Sequence, residues 1–214
     1  MFKSYVLGAS FPCVGARAAI NRGRMEFGSY GSLGNQGDAL ALCDDLARFA
    51  VKYASPGTDP VSFVAMFEQE VADEADFAQG LWRQLQAMHD IDVLRHPWNP
   101  EVSSDPQSNS FSFSIGGRGF FVVGLSPSAS RTARRAPFPC LVFNFHDQFE
   151  SLKASGKFAG MQNAIRTRDV ALQGNINPAL AMYGERSEAR QYAGDATAAD
   201  WVCPFKPSMA VHAV

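Results

Sequence analysis

The sequence has no apolar run near the ~20 residues that a membrane-spanning helix requires. Its first residues, Met1-Phe-Lys-Ser-Tyr5, lack the long apolar segment of a secretory signal. A cytoplasmic protein is therefore expected. None of its four cysteines (13, 43, 140 and 203) falls in a C-x-x-C pair, which argues against a structural zinc site. In a reducing compartment they stay thiols. Neither sign of charge dominates: the formal net charge is -2, so no field for nucleic acid or an acidic membrane is implied. No Ser/Gly/Pro-rich linker and no internal repeat divides the chain, so a single domain over residues 1–214 is expected. A nucleotide fingerprint is also missing. The glycines of Gly116-Gly-Arg-Gly119 are not followed by a helix pattern, so they read as a turn.

Apolar residues are plentiful, at 46%, and 17 phenylalanines are enough for a sizeable core. Residues 11–22 begin Phe-Pro-Cys and continue in an Ala-rich helical run, with Cys13 at its N-terminal end. A helix dipole there favours thiolate over thiol. Residues 24–30 read as a short strand. Residues 38–53 give the clearest helix, with Ala39, Leu42, Cys43, Leu46, Phe49, Ala50 and Tyr53 on one face; Cys43 reads as core. The turn cluster Ser55-Pro-Gly-Thr-Asp-Pro60 precedes a strand at 61–67. A second amphipathic helix follows at 73–89, with His89 at its end and His96 in the next loop, both read as helix-end or surface histidines.

The loop 96–106 has the length of a lid. Strands at 111–115 and 120–125 form a hairpin. The segment 128–135 carries three arginines and reads as a solvated face. A strand at 141–145 runs into a helix beginning at His146. A helix at 158–172 is expected to bury Phe158, Met161, Ile165 and Leu172, with Arg166, Arg168 and Asp169 off that stripe. The last forty residues have little pattern but hold Trp201, Cys203 and Phe205, as a tail wrapped onto the body would. The sum is α+β: a mostly antiparallel sheet of four or five strands, packed helices and a long irregular C-terminal segment.

Cys13 and His146 are the residues best suited to reaction or ligation. One reading makes Cys13 a nucleophile, His146 its base and Asn144 or Asp147 the orienting group. A second makes thiolate or imidazole an axial ligand of a metal or haem. A third leaves both as buried, hydrogen-bonded structural groups. Glu185, Glu188 and Asp195 are suited to a cationic substrate, and Arg186 and Arg190 to carboxylates, unless these charges only pair with one another.

The segments Phe11-Pro-Cys-Val-Gly-Ala-Arg17, Phe143-Asn-Phe-His-Asp-Gln-Phe-Glu150, Gly174-Asn-Ile-Asn-Pro178, Ser187-Glu-Ala-Arg-Gln-Tyr192 and Trp201-Val-Cys-Pro-Phe205 together span almost the whole chain. In this order they resemble the YqcI/YcgG family, and within it the haem-dependent N-hydroxylases of the guanitoxin and D-cycloserine type. The resemblance implies a haem b protein that uses dioxygen and an external electron donor to hydroxylate a guanidine nitrogen of arginine or a related small metabolite. It makes Cys13 the axial thiolate, with His146 as a distal group or the alternative ligand. Phe143, Asn144, Phe145 and Trp201 would then lie against the macrocycle, and Arg17, Arg186 or Arg190 would hold the propionates. Glu188 or Asp147 would orient the guanidinium. Partners are expected to be small molecules and the electron donor, with a homodimer left open.

Overall fold

The computed structural model describes residues 1–9, 11–178, 185–194 and 198–208. Asp195, one of the candidate carboxylates, lies outside them. Five strands form one sheet in the order β1-β2-β5-β4-β3, with β1 at Met25–Tyr30, β2 at Ser62–Phe67, β3 at Phe113–Ile115, β4 at Arg118–Leu125 and β5 at Cys140–Phe145. Only β1 and β2 run parallel; the other three pairings are antiparallel. The fold is α+β, as the sequence pattern implies.

Helix α3 (Gln36–Lys52) begins where the Asn35 side chain accepts from the Asp38 N–H (3.1 Å). Helix α4 (Glu74–Asp92) begins in the same way at Asp73, which accepts from Asp76 N–H (2.8 Å). Both lay their apolar stripes on one face of the sheet, against Phe63, Ala65, Phe113, Phe120, Leu141, Phe143 and Phe145. The strand period of two turns Cys140 and Val142 to the opposite face. There they meet Phe2 and Val6 of α1 (Phe2–Leu7) and Ala19 of α2 (Val14–Asn21). Strands β3 and β4 are joined by Gly116 and Gly117, whose φ values of +62° and +71° suit a tight two-residue hairpin turn.

Four expectations are corrected. Helix α4 runs three residues past His89, so that histidine is interior and 2% exposed. It packs edge-on against Trp98 and Phe205, and its Nε2 accepts from the Ser208 N–H (2.9 Å). Arg131 and Arg134 of the basic segment are buried, not solvated; only Arg135 is exposed. Helix α6 (Lys157–Gln173) does not bury its apolar stripe: Phe158, Met161, Ile165 and Leu172 are half-buried. The one fully buried side chain of α6 is Asp169, which the pattern had placed off the stripe. The C-terminal segment does wrap the body, with Cys203 and Phe205 buried in the α3/α4 core. Among the described residues no helix is long and apolar enough to cross a membrane.

Candidate functional site

Among the described residues, two cavities border the segment 140–150. The first, of about 270 Å³, lies between the sheet, α1, α2, α6 and helix α5 (His146–Ala154). Its walls are mostly apolar and include Phe11, Phe121, Phe149, Val142, Met161 and Ile165. Cys13 is in this wall. It caps α2, and its Sγ accepts from the Ala16 N–H (3.4 Å). Burial nevertheless pushes the Cys13 thiol up from its ordinary value. The N–H groups of Ala16 and Gly15 and the Arg134 charge offset this only in part. The helix end is where the sequence places it, but desolvation outweighs the dipole. A metal bound to the sulfur would reverse that balance and deprotonate it.

The polar groups of this cavity come from four elements. Asn144 on β5 accepts from the Ser62 hydroxyl (2.7 Å) and donates to Phe121 O (3.3 Å). Gln148 on α5 accepts from Val61 N–H (3.1 Å) and donates to Asp59 O (2.6 Å), which fixes the turn before β2 against α5. Arg134 donates to the carbonyls of Gly124, Tyr192 and Gln191. Asp169 is paired with Arg131 at 2.6 Å, and the same oxygen accepts from Asn177 N–H (2.9 Å). Arg131 also donates to the side chain and main chain of Asn175. The Asn-Ile-Asn-Pro run is thus the closure of a buried ion pair.

His146 does not share this cavity. It begins α5 and opens onto the second one, of about 480 Å³, with His96, Asn99, Glu101, Arg118 and Asp147. Its Nδ1 lies 3.6 Å from Glu188, which is 3% exposed. Glu188 in turn accepts from the Ser112 hydroxyl at 3.0 Å and lies 3.4 Å from the Tyr192 hydroxyl. The segments that carry Cys13, His146 and Glu188 come together only in pairs. His146 lies beside Glu188 of the 185–194 segment, Cys13 shares a cavity with Asn144 and Gln148, and the histidine and cysteine centres line different cavities.

The remaining candidates are therefore relocated. Asp147 is bonded to Arg118 (2.6 Å), whose guanidinium lies 3.7 Å from the centre of the Phe145 ring and donates to Tyr53 O. Asp147 and Glu188 do not line the Cys13 cavity. Arg17 donates to Leu7 O and Gly8 O, tying α1 to α2. Arg190 donates to the carbonyls of Ala198 and Trp201 and lies over the Trp201 ring. Arg186 and Glu185 are exposed. Phe143 and Phe145 belong to the α3/α4 core, and Trp201 packs on Trp82, so none of the three lines the Cys13 cavity.

A family model, that of the YqcI/YcgG family, matches residues 2–206. The chain belongs to the YqcI/YcgG family. Neither the curated proteins nor the solved structures yield a match. In this YqcI/YcgG chain the matched region takes in both cavities. Sequence reasoning missed Arg131, Arg134 and Asp169 at the first and Ser112 and Tyr192 behind the second. One signal was available: Asp169 falls four residues after Ile165 and three before Leu172, so it occupies a position of the apolar stripe.

Proposed function

We propose that this YqcI/YcgG protein is a haem-dependent N-hydroxylase acting on a guanidine nitrogen of arginine or a related small molecule. The observation that carries the reading is Cys13, a thiol capped by a helix N–H in the wall of a mostly apolar cavity. The donor set fits the group. A cysteine thiolate is a known haem ligand class and favours O–O cleavage. Phe11, Phe121 and Phe149 supply apolar walls, and Arg134 lies in the lining, where a carboxylate would be met. Bound there, haem would supply the oxygen chemistry, with dioxygen as oxidant and electrons from an external donor.

The chain's own residues do the rest. The N–H of Ala16 stabilises negative charge on sulfur. Asn144, fixed by Ser62 and Phe121, presents an amide inside the cavity. The cavity lies just below the ~300–1,000 Å³ of most small-molecule sites, so a macrocycle requires α6 to ride outward. The half-buried stripe of α6 and the left-handed glycines at its two ends, 156 and 174, suit that movement. His146 lines the second cavity. A Cys-His hydrolase therefore has less support, because among the described residues no histidine lines the Cys13 cavity.

The test is to load the purified protein with hemin and supply an electron donor, dioxygen and arginine or agmatine. The expected product is heavier by one oxygen and is lost in Cys13→Ala. Hemin uptake without any product would leave a haem carrier or gas sensor.

A further inference from the structure

Among the described residues, the wall of the Cys13 cavity holds one carboxylate, that of Asp169. Asp169 is 3% exposed, and both of its hydrogen bonds, from Arg131 and from Asn177 N–H, go to Oδ2. Among the described residues both of these bonds use Oδ2, and neither engages Oδ1. A carboxylate has acceptor sites on both oxygens, and Asp169 lines the cavity with the protein's bonds on Oδ2. A buried ion pair is also a weak source of stability, since apolar residues of the same volume often do as well. An ion pair with its bonds on one carboxylate oxygen, at the wall of an apolar cavity, is better matched to a ligand.

We infer that Asp169 is the specificity-determining residue of this cavity. Its Oδ1 accepts an N–H from the head group of the ligand, and Arg131 and Asn177 position it by holding Oδ2. The ligand class is a compact N–H-donating cation, a guanidinium or amidinium, on an apolar body. The body follows from the walls, in which Phe121, Phe149, Met161 and Ile165 are apolar. The head group follows from the carboxylate, which already accepts one guanidinium edge, that of Arg131, at 2.6 Å. The inference rests on the Cys13 cavity being the ligand site, and it replaces Glu188 and Asp147 in the orienting role.

The experiment compares n-hexylguanidinium with n-hexylurea, a neutral analogue of similar shape in which an oxygen replaces one NH2 group. Binding to the full chain is measured by calorimetry, before and after hemin is added. The expected result is a preference for the guanidinium of about ten- to a hundredfold, from one charge-assisted bond. In Asp169→Asn the ratio should fall to about twofold, since a neutral amide retains the shape but not the charge. A second reading needs no variant: the amide resonance of Asn177, whose N–H sits on the same carboxylate, should shift on titration with hexylguanidinium. Equal binding of the two ligands, an unchanged ratio in Asp169→Asn, or an Asn177 amide that does not move would overturn the inference. The two readings fail separately. Hemin uptake with no guanidinium preference removes Asp169 alone, whereas the preference without hemin uptake removes the haem reading and supports Asp169.

Discussion

Replacing Tyr192 by Phe removes one oxygen from the place where the β3/β4 ladder ends. Helix α7 (Ala189–Tyr192) delivers that hydroxyl into the core. It accepts from Phe113 N–H (3.2 Å) and lies 3.2 Å from Phe120 O, the two residues paired in register across the hairpin. Tyr192 is 0% exposed, so no water can take its place. Burial and the neighbouring Glu188 hold its pKa well above the ordinary value, so the group is a neutral hydroxyl. Deleting it orphans a buried N–H and removes a partner of Glu188. A buried unsatisfied group costs about 1–3 kcal/mol, and with the lost bond to Glu188 we expect roughly 2–3 kcal/mol in all. In a domain of this size 1 kcal/mol moves Tm by about 2–4 °C, so Tyr192→Phe should lower Tm by about 4–12 °C. Circular dichroism melts and urea titrations measure this, with the urea m-value unchanged. Tyr53→Phe is the control, because that hydroxyl makes no hydrogen bond among the described residues and its loss should leave Tm unmoved. A Tyr192→Phe protein that melts with the wild type would refute the idea that α7 is fastened through this hydroxyl.

Other outcomes follow from the same geometry. At Gly124 an added Cβ would lie 2.7 Å from Leu81, 2.8 Å from Phe77 and 2.8 Å from Tyr192 O. Gly124→Ala should therefore cost about 1–3 kcal/mol in urea unfolding. His89 is held below its ordinary pKa, chiefly by burial, so the unfolded chain binds the proton more readily. Stability from this group is complete above about pH 6.5 and is lost as pH falls through the folded value. His89→Gln should flatten that part of the stability–pH curve, measured by urea midpoints between about pH 7.5 and 5. All four thiols are pushed up by burial, Cys43 and Cys203 to about 12. A colorimetric disulfide reagent should label them slowly in the native protein and fully in guanidinium chloride. Rapid native labelling lost in Cys13→Ala would instead mark an activated nucleophile.

The elements that could be read from the sequence are those whose local chemistry agrees with their packing. Helix α3 has its apolar stripe, its Asn35 cap and its partner face in one stretch of chain. The Gly116-Gly117 hairpin needs only its two positive φ angles. Cys13 at a helix start was legible for the same local reason. What resisted reading was set by distant partners. Arg131 looked solvated because Asp169, thirty-eight residues on, supplies its charge. His89 looked terminal because Phe205 and Ser208 of the tail, which have no periodicity, cover it. The separation of Cys13 from His146 is also tertiary. Asn144 faces Cys13 by the strand period, and two residues later the chain has left the strand for α5, so His146 emerges toward the second cavity.

Cys13 is proposed to hold a haem iron in the first cavity. The absorption spectrum of the hemin-loaded protein, reduced under carbon monoxide, tests it most directly. A Soret band shifted far to the red in the wild type and lost in Cys13→Ala is the expected result. A band at the ordinary histidine position, unchanged in Cys13→Ala, or no Soret band at all, would contradict the claim.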